Sequence, residues 1–194
     1  MGIDLGTSRT SISTSHGARH MVLSYVGVCK DVIGHKRLGK GVLVGQAALD
    51  NRLALDLVRP LRGGVIDTSD ARCIRAVREL LRHVISLCEP QPQQPIYAVI
   101  GAPARASIES QKAILHALEP LVTSAMIVSE PFAVAYGLDI LTEALVIDIG
   151  AGTTDLCRMH GTLPDEADQI TLPTGGDTID ERLEHEILKR DPKV

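Results

Sequence analysis

Aromatic side chains are almost missing from this chain of 194 residues, which has no Trp, one Phe and three Tyr. A stacking platform for single-stranded nucleic acid needs such rings, so their scarcity argues against that class and makes the core aliphatic. An excess of positive charge is also absent. Lys and Arg number 20 against 24 Asp and Glu, a formal charge of −4, which is not the footprint of a nucleic-acid binder. No apolar run approaches the ~18 residues of a membrane span, and no charged-then-apolar leader opens the sequence. Gly6 stands where a myristoylation signal carries Ser or Thr. Direct membrane insertion is therefore not expected, and the implied compartment is the cytoplasm. Cys29, Cys73, Cys88 and Cys157 include no C-x-x-C pair. They read as reduced, mostly buried thiols rather than a disulfide framework or a zinc ribbon. The seven histidines are scattered along the chain.

What is present is an ordered series of elements. Residues 2–8 form an apolar strand that runs into glycine and hydroxyl residues. Residues 10–15 and 20–26 predict two more strands, joined by a turn at His16-Gly17. Gly27, Gly34, Gly39, Gly41 and Gly45 predict a small, loop-rich insertion, with a short helix near 45–52 and an extended piece near 55–66. Ser69 is the expected cap of a helix reaching about Leu87, along which Ile74, Val77, Leu81, Val84 and Cys88 form an apolar stripe. Arg72, Arg75, Arg78 and Arg82 mark the same helix, and a solvated face with a local Arg75–Glu79 pair is their ordinary explanation. A rigid loop with Pro90, Pro92 and Pro95 follows. The run 96–101 predicts a strand buried on both faces. Next come a helix at 107–118, a strand at 125–129, a helix at 132–139 and a strand at 144–149. Strands near 155–160 and 167–172 and a helix at about 178–190 complete the series. This alternation argues for α/β architecture.

One long-range echo stands out. Residues 3–8 read Ile-Asp-Leu-Gly-Thr-Ser, and residues 147–154 read Ile-Asp-Ile-Gly-Ala-Gly-Thr-Thr. Each copy is an apolar strand, an Asp, a glycine turn and then hydroxyls. Glycine lets the backbone approach a ligand closely, its N–H groups make an anion-binding nest, and hydroxyls add donors to phosphate oxygens. The aspartates, Asp4 and Asp148, place negative charge where a Mg²⁺ would sit. Either copy alone is an ordinary β-turn; together they suit a clamp on the phosphates of a nucleotide. The chain has neither a P-loop nor a dinucleotide-binding fingerprint. Between the copies, Glu130 precedes Pro131 at a predicted strand end. Its residue type suits orienting or deprotonating a water, and equally a helix N-terminal Glu complementing the macrodipole.

Together these segments resemble the actin, Hsp70 and sugar-kinase ATPase superfamily. The match is to its first phosphate motif (2–10), its connecting motif (130–137) and its second phosphate motif (148–155), in order. Within the superfamily the chain is most similar to bacterial actins of the MreB type, above all to the magnetosome-filament actins. GIDLGTS, KDVIG, AVIGAPARAS, VSEPFAVAYGLD, VIDIGAGTTD and DERLEHEIL carry this resemblance. It implies an actin-like ATPase (RNase H-like) fold around an ATP cleft. Residues 1–144 would be the first domain, with the insertion at about 27–66, and 145–194 the opening of an incomplete second. By position, Asp4 and Asp148 would bind Mg²⁺ directly or through water. Gly6, Thr7, Ser8, Gly150, Gly152, Thr153 and Thr154 would contact phosphates. Glu130 would position the attacking water, with Thr153 as helper. The resemblance further implies filament assembly with itself or a full-length actin homologue, contact with magnetosome-associated proteins, and a cytoskeletal, magnetosome-associated location. Family members run on past this length, so the adenosine side of the cleft is expected to be lacking and Mg–ATP affinity weak. Two alternatives stand beside the filament ATPase. One is a non-catalytic module that copolymerises with or modulates a full-length actin. The other is a small-molecule kinase or phosphatase of the superfamily, for which no substrate-specific insertion is evident.

Overall fold

The structure is a computed structural model and describes residues 1–192. Its first strands, β1 (Gly2–Leu5), β2 (Arg9–Ser13) and β3 (Arg19–Leu23), form successive antiparallel pairs. Alternation of side chains sends Ile3, Leu5, Thr10 and Ile12 to the buried face. β1 ends at Leu5 rather than continuing to residue 8, because the glycine turn begins there.

The glycine-rich stretch is not the loop-rich insertion that its composition suggested. It holds β4 (Val26–Cys29), α1 (Val32–Leu38), β5 (Val42–Val44), α2 (Gln46–Asp50), a 3-10 turn (Arg52–Ala54) and β6 (Leu55–Val58). The strands make an antiparallel sheet in the order β5-β4-β6. Glycine serves close packing here: a β-carbon on Gly27 would lie 2.7 Å from the Leu55 side chain across the strand pair. A tight hairpin follows, β7 (Leu61–Arg62) and β8 (Val65–Ile66), turning on Gly63 and Gly64. Both glycines have positive φ (56° and 72°), as a two-residue hairpin turn of the primed kind requires.

Helix α3 (Ala71–Leu87) is capped by Asp70, whose carboxylate accepts from Arg72 N (2.8 Å). The expected cap, Ser69, instead donates its hydroxyl to Asp67. Glu79 pairs with Arg82, three positions on, rather than with Arg75. Both are neighbours on a helix surface, and the carboxylate turns toward the later one. The α3 stripe, including Val77, Leu80, Leu81 and Val84, fills the main core with Ile3, Leu5, Ile100 and Leu118.

β9 (Tyr97–Ala102), α4 (Ile108–Leu118), β10 (Ser124–Ser129) and α5 (Glu130–Gly137) complete the larger sheet, in the order β10-β9-β1-β2-β3. β9 runs parallel to both β1 and β10. Contrary to expectation it is buried on one face only. Ala98, Ile100 and Ala102 face the core, whereas Val99 and Gly101 border an open cleft. Its unbroken apolar run therefore reflects the wall of a cavity rather than a second packed layer.

The remainder is β11 (Ala144–Ile149), β12 (Thr154–Met159), a 3-10 turn (Glu166–Asp168), β13 (Gln169–Leu172) and α6 (Gly176–Arg190). β11, β12 and β13 form an antiparallel sheet with a small core of Ala135, Cys157 and Met159. Helix α5 packs on β11 and β12 and also on β10, and so joins the two sheets. The four cysteines are free, with Cys73 and Cys157 buried and Cys29 and Cys88 half-buried. Among the described residues no helix is long and apolar enough to cross a membrane.

Candidate functional site

The two echoed segments fold alike. Leu5 pairs with Thr10 across β1–β2, and Ile149 pairs with Thr154 across β11–β12, which leaves 6–9 and 150–153 as matching hairpin turns. In the first, the Ser24 hydroxyl donates to the Gly6 carbonyl (2.7 Å) and bonds with Thr10 (2.9 Å), bracing the turn from below. A β-carbon at Gly6 would strike the Arg9 carbonyl oxygen at 2.5 Å, so this turn closes only around glycine. In the second, Gly150 N donates to the Thr153 carbonyl (2.9 Å).

Both turns open on one cleft of about 1100 Å³. The parallel strands β1 and β10, with β9 between them, deliver two of its carboxylates. Asp4 is paired in register with Gly101, Gly101 with Val128, and Glu130 follows directly after β10 as the first residue of α5. Ligands of α/β sheets bind at these carboxyl ends of the strands. Asp148 enters from the other sheet, in register opposite Asp155. Gly101 has no side chain to fill the space that Glu130 occupies: a β-carbon there would be 3.0 Å from Glu130 Cγ.

The electrostatics are one-sided. Burial pushes the Glu130 carboxyl up to about 8, with Asp4, Asp155 and Asp148 adding repulsion in that order. Burial also raises Asp4, helped by Asp148, and raises Asp148, helped by Asp155. Like charges in partial burial each favour the neutral acid. Asp155 itself is buried and tied down. Its Oδ1 accepts from Ala104 N (2.9 Å) and from the Thr171 hydroxyl (2.5 Å). Among the described residues, no three His, Cys, Asp or Glu side chains form a metal-holding group by themselves.

The turns also meet each other. Thr7 Oγ1 accepts from Gly64 N (2.8 Å), and Gly152 lies against Gly63 so closely that a β-carbon would be 2.7 Å from Gly63 Cα. The start of α6 is bound to the second turn by Gly176 N to the Gly150 carbonyl (3.0 Å) and Asp177 N to the Ala151 carbonyl (2.8 Å). The sequence pattern predicts this helix from about 178 and α5 from 132; both begin two residues earlier. The earlier start places Glu130 at a helix N-terminus.

Of the residues singled out from sequence, Asp4, Gly6, Thr7, Ser8, Glu130, Asp148, Gly150, Gly152 and Thr153 all line the cleft. Thr154 is placed elsewhere: its hydroxyl donates to the Thr174 carbonyl (2.8 Å). It is the first residue of β12, where the pleat turns its side chain away from the turn. Three participants were missed. Alternation along 155–159 points Asp155 inward with Cys157 and Met159 and would have flagged it as a buried acid. Gly101 and the Gly63-Gly64 hairpin carry no such local signal.

Comparison with known proteins agrees with this geometry. The chain is 46% identical over its whole length to the actin-like protein MamK of Paramagnetospirillum magneticum and covers 56% of that protein. It thus spans about half the length of the curated relatives it matches. A structure of the MamK double helical filament superposes on all of the chain with a TM-score of 0.95 at 46% identity, and 59% of that subunit is covered. A non-polymerising MamK mutant bound to AMPPNP gives 0.79 at 46% identity over the same shares. The α/β architecture described above is therefore part of an actin-like fold. The profile of the MreB/Mbl proteins matches residues 1–190, and the chain belongs to that family.

Proposed function

We propose that this chain is the nucleotide-binding part of an actin-like filament protein, and that Mg–ATP sits with its phosphates between the turns at 6–9 and 150–153. One observation carries the reading: two hairpin turns of matching register face one cleft, each preceded by an aspartate. The relatives support it, since one solved MamK structure is a filament and another is bound to AMPPNP.

Gly6, Gly150 and Gly152 bring backbone N–H groups to the phosphates. The Thr7, Ser8 and Thr153 hydroxyls donate to phosphate oxygens; Thr7 accepts from Gly64 N, which leaves its own hydrogen free to do so. Thr154 acts from behind by fixing the strand that follows the turn. Asp4 and Asp148 are the Mg²⁺ ligands, direct or through water. The donor set fits the ion: hard carboxylate oxygens, too few to form a cage alone, each raised above its ordinary value by burial and then by an acidic neighbour. Bound there, Mg²⁺ supplies charge neutralisation of phosphate oxygens. Glu130 holds the attacking water and takes its proton, a task suited to a carboxyl poised near neutral pH. Thr153 helps orient that water. The first domain is 1–144 and the second opens at 145. In the cell the reading places the chain in a cytoplasmic, magnetosome-associated cytoskeleton, assembled with itself or with a full-length actin homologue.

Calorimetric titration of the purified chain with Mg–ATP, beside Asp148→Ala, tests this. Saturable binding that the variant loses is the expected result. A folded wild-type chain that binds no Mg–ATP would overturn the reading.

A further inference from the structure

Arg59 is a residue that the nucleotide reading does not use, and it touches both halves of the site. It follows β6 directly and is one-third exposed. Its Nε donates to the Thr7 carbonyl (3.1 Å), in the first turn. Its Nη2 lies 2.9 Å from both carboxylate oxygens of Asp177, in the first turn of α6. Asp177 N in turn donates to the Ala151 carbonyl (2.8 Å), in the second turn. A continuous path therefore runs from the Thr7 carbonyl through one guanidinium and one carboxylate to the Ala151 carbonyl.

We propose that Arg59 is a positioning residue that fixes the two glycine turns relative to each other by clasping Thr7 and Asp177 at once. The planar guanidinium presents donors in fixed directions, so one side chain satisfies a carbonyl and a carboxylate whose separation is thereby set; a Lys ammonium, a flexible point charge, cannot fix both. An ion pair this exposed contributes little to overall stability. The clasp matters for geometry instead, because a phosphate chain held by both turns needs their spacing set in advance. The nucleotide consequence rests on the function proposed above; the mechanical link between the turns does not.

Hydrogen exchange on the nucleotide-free chain reads the link directly. Arg59→Gln is expected to speed exchange at the amides of Gly176 and Asp177 and in 150–153, none of which Arg59 itself bonds. Acceleration confined to the neighbourhood of Thr7 would overturn the clasp. Calorimetry with Mg–ATP supplies the second arm. Arg59→Gln and Asp177→Asn should each weaken binding about tenfold, and the double variant no more than either single, as coupled residues behave. Additive losses would count against the clasp. Arg59→Lys keeps the charge and should leave the melting temperature near that of wild type without recovering affinity; full recovery of affinity would reduce Arg59 to a simple charge. Should wild type bind no Mg–ATP, the nucleotide reading falls and the exchange pattern alone decides whether the clasp stands.

Discussion

Glu130 occupies space that Gly101 leaves empty: the β-carbon that Gly101 lacks would lie 3.0 Å from Glu130 Cγ. Two parallel strands are thus matched so that a glycine on one admits the carboxylate that follows the other. Gly101→Ala should displace Glu130 by a few tenths of an ångström without disturbing β9, whose φ there is ordinary for an L-residue. The hydrolysis proposed for this site should fall about tenfold or more, since small misplacements near reacting atoms are costly. Thermal stability should change by less than ~1 kcal/mol. Phosphate release and a melting curve on the same sample check both halves.

Glu130 makes stability depend on pH in an unusual direction. Its folded value of about 8 lies above the ordinary 4.5. Through that window the folded chain retains a proton that the unfolded chain has lost, so stability falls as pH rises from 4.5 to 8. Glu130→Gln cannot ionise and should flatten the dependence. The variant should match wild type near pH 4 and exceed it at pH 8.5 by on the order of a few kcal/mol. Urea midpoints across that range measure it, and parallel curves would refute the assignment.

Gly175 and Gly137 give opposite expectations for the same substitution. A β-carbon at Gly175 would lie 2.5 Å from the Ala151 carbonyl oxygen and 2.6 Å from that of Gly150, both backbone atoms unable to yield cheaply. Gly175→Ala should cost about 1–3 kcal/mol and loosen α6 from the second turn. Gly137 ends α5 with nothing within 4 Å of its missing β-carbon. Gly137→Ala should be neutral or stabilising by up to ~1 kcal/mol. Chemical denaturation of the pair tests the contrast.

Asp168 predicts an acid limit. His160 Nε2 and Arg158 Nη2 each lie 2.8 Å from one of its oxygens, and with help from the Asp165 backbone they hold its carboxyl down at about 2, below the ordinary 3.8. The lowered value means that its contribution is present above pH 3.8 and lost as pH falls through 2. Asp168→Asn should melt below wild type at pH 7, and the gap should close on acidification into that window. A pH series of melting temperatures is sufficient.

Much of this was legible in the residues because it is local. The six residues of β11 were bounded correctly by their apolar run and flanking turns, and the echo around Asp4 and Asp148 reported two hairpins with the same register. What failed was set at longer range. The run 96–101 looked doubly buried because a cleft wall and a packed layer use the same side chains. The glycines at 27–45 looked like loop because close strand packing and flexibility draw on the same residue. Asp155 accepts from Ala104 and Thr171, and Arg59 donates to Thr7 and Asp177. No local pattern announces partners so distant in sequence. The exchange of Ser69 for Asp70 as a helix cap is a different kind of error, since either residue suits the position.

Parallel pairing of β1 with β9, and of β9 with β10, has a consequence for how the molecule is made. Asp4 is synthesised about a hundred residues before its neighbour in the sheet, Gly101, and further still before Glu130. The hairpins β1–β2–β3 can pair at once, but one edge of β1 stays bare until β9 arrives. Loop closure over such a span is slow and must precede any contact that rewards it. The carboxylate cluster therefore assembles among the last features of the first sheet. In the interval the bare edge of β1 is the place where a second nascent chain can add a strand.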